Sequence, residues 1–197
     1  MHTLSYRSYV VMILLAALGG CAGEAGATVE GEVAAASEAL ARAPEVPDVL
    51  KVPEGNKYAF LLDAAGLQIY ECRSSATAPS GYAWTLVAPD ADLFKANGRI
   101  AGSHYGGPSW EYLDGSVVVA ARVASHTQDA GSIPWLLLSA SSHSGPEGKM
   151  SKVSYIHRLD TSGGLAPATG CDAEHVGDDV SVEYTATYYF YVPRACH

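Results

Sequence analysis

The residues best suited to chemistry lie in residues 102–120, "GSHYGGPSWEYLDGSVVVA". His104 stands just before Gly106-Gly107-Pro108, a run that lets the chain turn sharply and approach other groups closely. An imidazole there suits a general base partnered by Asp114 or Glu111, or a metal ligand partnered by His157. It equally suits a structural role, bonding a backbone carbonyl and fixing the corner of a sheet. His157 interrupts the apolar run "VSYIHRL", where alternation puts Ile156 and Arg158 on one face and Tyr155, His157 and Leu159 on the other. The catalytic candidates are therefore His104, His157 and Asp114. The roughly 50-residue gap between the two histidines is unspecific, so no metal and no cofactor is assigned. His126, His143 and His175 fall in loop-like segments and are expected to be solvated.

Motifs that would name a reaction are missing. There is no G-x-S-x-G elbow, no S-x-x-K and no H-E-x-x-H. No two cysteines stand at C-x-x-C spacing, which argues against a zinc knuckle or a thioredoxin-type redox pair. "SSHSG" reads as a loop, and Asp178-Asp179 as a turn. The aromatic residues offer a binding reading instead. Trp110 and Trp135 are expected to flank a groove near His104. Tyr189 and Tyr191 fall on the polar face of a strand beside Thr185 and Thr187, where exposed rings would make a platform for sugars or peptides. Burial of the same rings is the competing expectation.

These side chains must be positioned by strands. Period-two alternation recurs along the domain with turn residues between runs. "KYAFLL" and "LQIYECR" are expected to form a hairpin around "DAAG", and Asp114-Gly115 is a strong hairpin signal between "EYL" and "SVV". "SVVVAARVA" is nearly continuous apolar, as a central strand should be. From 180 to 192, Val180, Val182, Tyr184, Ala186, Tyr188, Phe190 and Val192 share one face, and Pro193 ends the run. The one helical turn expected is "APDADLFKANG", with Asp90 as cap and Gly98 as stop. The expected fold class is all-β, an antiparallel β-sandwich or small barrel of about 8–10 short strands.

The termini speak to location. Residues 10–18 are an uninterrupted apolar run behind Arg7, too short for a bilayer span of about 20 residues but right for a signal peptide. It ends in Leu18-Gly19-Gly20-Cys21, which resembles a lipobox. Residues 1–20 are then a signal peptide and Cys21 carries lipid, with an ordinary secretory signal as the alternative. Residues 22–50 hold six acids against Arg42 and no aromatic residue, and read as a disordered acidic Ala/Gly-rich tether with a docking helix as the alternative. Residues 51–197 form a single β domain. The expected localisation is export and lipid anchoring to the cell envelope, at the outer membrane facing periplasm or cell surface, since Ala22 is not an aspartate.

The chain carries 12 basic and 21 acidic residues, net −9, and the domain itself holds 10 against 15. No basic run exists, so nucleic acid is a poor candidate partner and none is expected. The expected partners are the membrane, through the N-terminal lipid, and a carbohydrate, peptide or small-molecule ligand. Three domain cysteines remain after lipidation, giving one bridge and one spare thiol. Cys72–Cys171 is favoured, because a bridge closing about 100 residues contributes roughly 4 to 5 kcal/mol in the chain-entropy model. Cys171–Cys196 remains the alternative.

Five blocks in fixed order resemble one exported bacterial and fungal family, domain of unknown function 3455. They are "PEGNKYAFLLDAAGLQIYECR", with Gly66, Gln68, Tyr70 and Cys72; "GSHYGGPSWEYLDGSVVV", with His104, Gly107, Pro108, Trp110, Asp114, Gly115 and Ser116; "IPWLLLSA", with residues 133–138; "YIHRLDTSGGLAPATGC", with Tyr155, Ile156, Arg158, Leu159, Thr161, Gly163, Gly164 and Cys171; and "YTATYYFY". The resemblance implies export and one domain. Its pattern includes Cys72 and Cys171 and leaves Cys196 outside, which supports their bridge. It implies no reaction. The dehydrogenase labels carried by some fungal members find no G-x-G-x-x-G here. Three functions follow in order: a lipid-anchored envelope domain that binds a ligand or partner, a His-centred hydrolase or metal-dependent oxidoreductase, and a purely structural envelope protein.

Overall fold

The computed structural model describes residues 43–195. The signal segment, Cys21, most of the tether and Cys196 lie outside the described residues. Eight antiparallel strands follow one another around a closed barrel: β1 (Asn56–Ser74), β2 (Tyr82–Phe94), β3 (Ile100–Tyr105), β4 (Ser109–Tyr112), β5 (Val117–His126), β6 (Trp135–Ser144), β7 (Tyr155–Gly163) and β8 (Asp179–Pro193). β8 returns to pair with β1, from Asn56 opposite Pro193 to Glu71 opposite Asp179. Every strand is paired on both sides over part of its length, although β2 meets β3 only through Ala91–Phe94 and β5 meets β4 only through Val117–Val119, so closure limits unpaired edges. Between the two architectures expected from the pattern, closure decides for the barrel.

Three expected elements are corrected. "DAAG" is not a hairpin loop, because β1 runs unbroken through it for 19 residues. Gly66 is there for close approach: a Cβ on it would overlap the Asp90 carbonyl and Ala91 of β2. "APDADLF" is not helical but the second half of β2, with Ala91 and Leu93 buried and Asp90 and Asp92 outside. Period two outweighed the capping signals, and Gly98, at φ 75°, ends the β2–β3 turn instead of a helix. β6 likewise extends through "SSHS" to Ser144.

The inward face carries the core. At one end Phe60 stacks on Phe190 with centroids 4.6 Å apart, among Leu62, Leu93 and Ile156. The 145–154 connection inserts Met150 and Val153, both fully buried, and plugs that end. The Asp114-Gly115-Ser116 turn holds the plug: Asp114 Oδ2 accepts from Lys149 N (2.7 Å), and Ser116 Oγ accepts from Met150 N (3.0 Å). At the other end the 164–178 connection is tied down by Cys72–Cys171, with S–S 2.02 Å. It is also held by Tyr70 Oη donating to Gly164 O (2.6 Å) and Trp84 Nε1 donating to Thr169 O (2.9 Å).

A second cluster lies on the outer wall. Leu50, Leu137 and Leu159 are buried together there, with Val46, Val52, Trp135, Tyr155 and Tyr189 packed around them. The stretch from Val46 to Val52, including the short 3₁₀ turn Asp48–Leu50, thus lies against the barrel. The tether expected to reach Leu50 therefore gives way to folded chain several residues earlier, because Leu50 has apolar wall to cover.

Candidate functional site

The candidate residues separate across the barrel wall. His104 points inward from β3, since it pairs with Ala91 and Trp110, both inward. His157 points outward from β7, and its partners are Leu50 O at 2.7 Å from Nε2 and Tyr191 Oη at 3.1 Å from Nδ1. Nε2–H must donate to the carbonyl, so Nδ1 accepts the tyrosine proton. Both nitrogens are engaged in packing the N-terminal segment onto the wall. The two histidines do not converge, and among the described residues no group of three His, Cys, Asp or Glu could hold a metal.

Asp114 lies at the plugged end, away from His104. Its Oδ1 also accepts from Ser116 N at 2.9 Å, and its pKa is lowered chiefly by the Ser116 hydroxyl. Asp114 is a fastening for the plug and has no reach to a His104 site. Trp135 belongs to the outer cluster, so it does not flank His104; Ile133 and Pro134 of the same run do. Tyr191 is buried and Tyr189 half-buried, sealed by Tyr58 at 6.2 Å from each ring. The expected tyrosine platform is a covered seam, because the folded N-terminal stretch lies over it. His143 and His175 also find partners, Val153 O at 2.8 Å and Asp172 at 2.7 Å.

His104 and Trp110 do stay together. Their rings stack at 4.2 Å with 13° between planes, and Tyr188 meets both edge-on at 5.1 and 5.3 Å. His104 Nδ1 donates to Ser109 O at 2.8 Å across the Gly-Gly-Pro corner. Burial is the main cause that lowers the His104 pKa, to about 3, with the Ser109 carbonyl opposing and the Arg158 charge adding. The ring is neutral at physiological pH and a weak base, so it serves the corner and leaves Nε2 as an acceptor.

That burial predicts a pH dependence. Between pH 6.5 and about 3 the unfolded chain binds a proton at His104 that the folded chain does not. Stability therefore falls as pH drops below 6.5, by about 1.4 kcal/mol per pH unit from this residue. His157, lowered mainly by burial, acts in the same direction. In urea titrations from pH 7 to pH 5, His104→Gln is expected to lose stability overall but to show a slope shallower by one proton. An unchanged slope would show that His104 titrates normally in the folded protein.

Beside this stack the barrel is hollow. A cavity of about 370 Å³ opens at the disulfide-bonded end. That size lies near the lower end of about 300–1,000 Å³ typical of small-molecule sites. Leu136, Leu138 and Ile133 form its apolar wall, His104, Trp110 and Tyr188 its floor, and the exposed Leu86 and Arg122 its rim. Arg158 enters from β7, donating Nε and Nη2 to Pro134 O at 3.2 and 2.9 Å. Its charge opposes the rise that burial causes in the pKa values of Tyr70, Tyr184 and Tyr188.

Among the described residues, two buried side-chain polar atoms have no hydrogen-bond partner, Gln68 Nε2 and Trp110 Nε1, and both residues line this cavity. Gln68 lies near enough to Tyr184 to lower its pKa slightly, but outside hydrogen-bond geometry. Sequence reasoning did not single out Gln68, Arg158, Arg122 or Tyr188 as site residues. The available signal was a polar residue at inward parity: Gln68 between Ala64 and Tyr70, and Arg158 beside Ile156. A larger, more open depression of about 910 Å³ surrounds Lys57, Lys152 and Tyr155 at the plugged end, and no unpartnered buried side-chain atom lines it.

No curated protein and no solved structure matches the chain. The model of one family matches residues 53–192, which takes in the whole barrel but the last residue of β8, both bridged cysteines and every residue lining the cavity. The chain belongs to that family, described as protein of unknown function DUF3455.

Proposed function

We propose that this protein is a lipid-anchored cell-envelope protein whose β-barrel holds a small molecule in its hollow, disulfide-bonded end. One observation carries the ligand reading: a cavity lined by aromatic and aliphatic side chains, two of whose lining residues, Gln68 and Trp110, carry buried donors with no protein partner. Burying such a donor unpaired costs about 1–3 kcal/mol, and natural barrels of eight strands are just wide enough to be filled or to hold one small ligand. The plugged end and the filled lower lumen support the same reading, since side chains fill the barrel elsewhere. The enzyme alternative loses support because His104, His157 and Asp114 serve three separate structural contacts.

The test is uptake of N-phenyl-1-naphthylamine, a neutral fluorescent dye, by the full chain. A saturable fluorescence gain at one dye per protein is expected, and Leu86→Trp at the exposed rim should reduce it at least about tenfold. No saturable gain, or a gain unaffected by the rim variant, refutes a ligand site in the barrel. The anchoring reading rests on Leu18-Gly19-Gly20-Cys21. Cys21→Ser is expected to move the protein from the membrane fraction to the soluble fraction, and unchanged partitioning would count against lipidation.

A further inference from the structure

The unpartnered buried polar atoms on the cavity's lining residues are of one kind. The two unpartnered buried atoms are both donors, the Gln68 amide from β1 and the Trp110 indole from β4, with their residues 2% and 1% exposed. Arg158 enters from β7, and Arg122 reaches the rim from β5. A guanidinium has five N–H donors, and two from Arg158 go to Pro134 O. Among the described residues no ion pair reaches either arginine.

The lining contains no aspartate or glutamate, although the chain has 21 acidic residues to 12 basic ones. A chain of net −9 thus lines this hollow with two cationic side chains and no anionic one. Half-buried arginine without a counter-ion is costly unless an anion completes it. The arginine fork matches a carboxylate in two-point geometry. The remaining wall, Leu136, Leu138 and Ile133, offers nothing but apolar surface.

We infer that the barrel binds small organic monocarboxylates, with the carboxylate held by Arg158, Arg122, Gln68 Nε2 and Trp110 Nε1, and an apolar body against Leu136 and Leu138. This rests on the ligand-binding reading above and gives it a chemical class. Carboxylate oxygens are acceptors only, so they suit four donors and gain nothing from the His104 Nε2 acceptor, which faces the same hollow as a neutral ring.

Isothermal titration of the full chain with phenylacetate and with its neutral isostere phenylacetamide tests the assignment. Phenylacetate is expected to bind at least about tenfold more tightly than the amide, a difference of about 1.4 kcal/mol. Arg122→Gln, on an exposed residue that packs no core, should erase most of that preference. Trp110→Phe should weaken the acid and leave the amide unchanged. Equal affinity for acid and amide, or a preference that survives both variants, overturns the carboxylate assignment. It would do so while dye uptake still supports a ligand site. Failure of both ligands to bind overturns the assignment too, and the dye then decides whether the site itself stands.

Discussion

Replacing Cys72 and Cys171 together by alanine is expected to lower stability by about 4–5 kcal/mol, the largest effect of any change considered. The bridge spans 99 residues of sequence, and in the chain-entropy model a loop near 100 residues contributes about 4.7 kcal/mol. For a domain of this size that corresponds to a fall in Tm of roughly 10–20 °C. The native side adds to the effect. Cys72 is fully buried, and its backbone N–H and C=O bond Asp178 O at 2.9 Å and Gly177 N at 3.0 Å. Loosening this connection also frees Gly164, whose carbonyl is the partner of the Tyr70 hydroxyl beside the cavity. Thermal melts of wild type with and without reductant, and of the double variant, check the expectation. The reduced wild type should melt with the variant, and the variant should not respond to reductant. A variant melting within about 2 °C of the oxidised wild type would mean that the barrel and its backbone ladder already hold this end without the bridge.

Trp110→Ala should come next, at about 3–5 kcal/mol, the usual range for deleting a buried tryptophan. The indole is 1% exposed and packs against both the His104 ring and Tyr188, so its loss removes contacts to two aromatic neighbours. His104 would lose the surface that holds it flat under the Gly-Gly-Pro corner. Trp110→Phe should behave differently. Its ring keeps the stack, and the deleted Nε1–H has no partner to lose, so stability should stay within about 1 kcal/mol of wild type. The pair of variants separates packing from hydrogen bonding. Equal losses for Ala and Phe in urea unfolding would mean that the indole N–H is bonded after all and is no free donor for a ligand.

The residues differ in how openly the sequence announces their roles. Tyr184, Ala186, Tyr188 and Phe190 could be assigned to one face of a strand because side chains alternate every two residues, and they line the lumen. Asp114-Gly115 could be read as a turn because Gly115, at φ 82°, adopts a backbone conformation that glycine favours. Its further duty, holding the Met150 plug through bonds to residues 34 and 35 positions away, leaves no local trace. Gly66 misled for the same reason. A glycine needed for close approach to another strand looks like a glycine needed for a turn until the other strand is in place.

Strand content, antiparallel order and the class of the fold followed from local preferences, which act within a few residues, and the bridged pair from chain entropy together with the family pattern. Closure of β8 onto β1 did not, because sandwich and barrel bury the same alternating face. Nor did the fate of Tyr189 and Tyr191, which depended on whether another stretch of chain covered the outer wall. His104 and His157 both interrupt strands and look alike in sequence; only the closed wall places one in the lumen and the other beneath Leu50. The candidate site is the extreme case. Gln68, Trp110, Arg122 and Arg158 lie on four strands spread over some 90 residues, and a common hollow exists for them only once the barrel is closed.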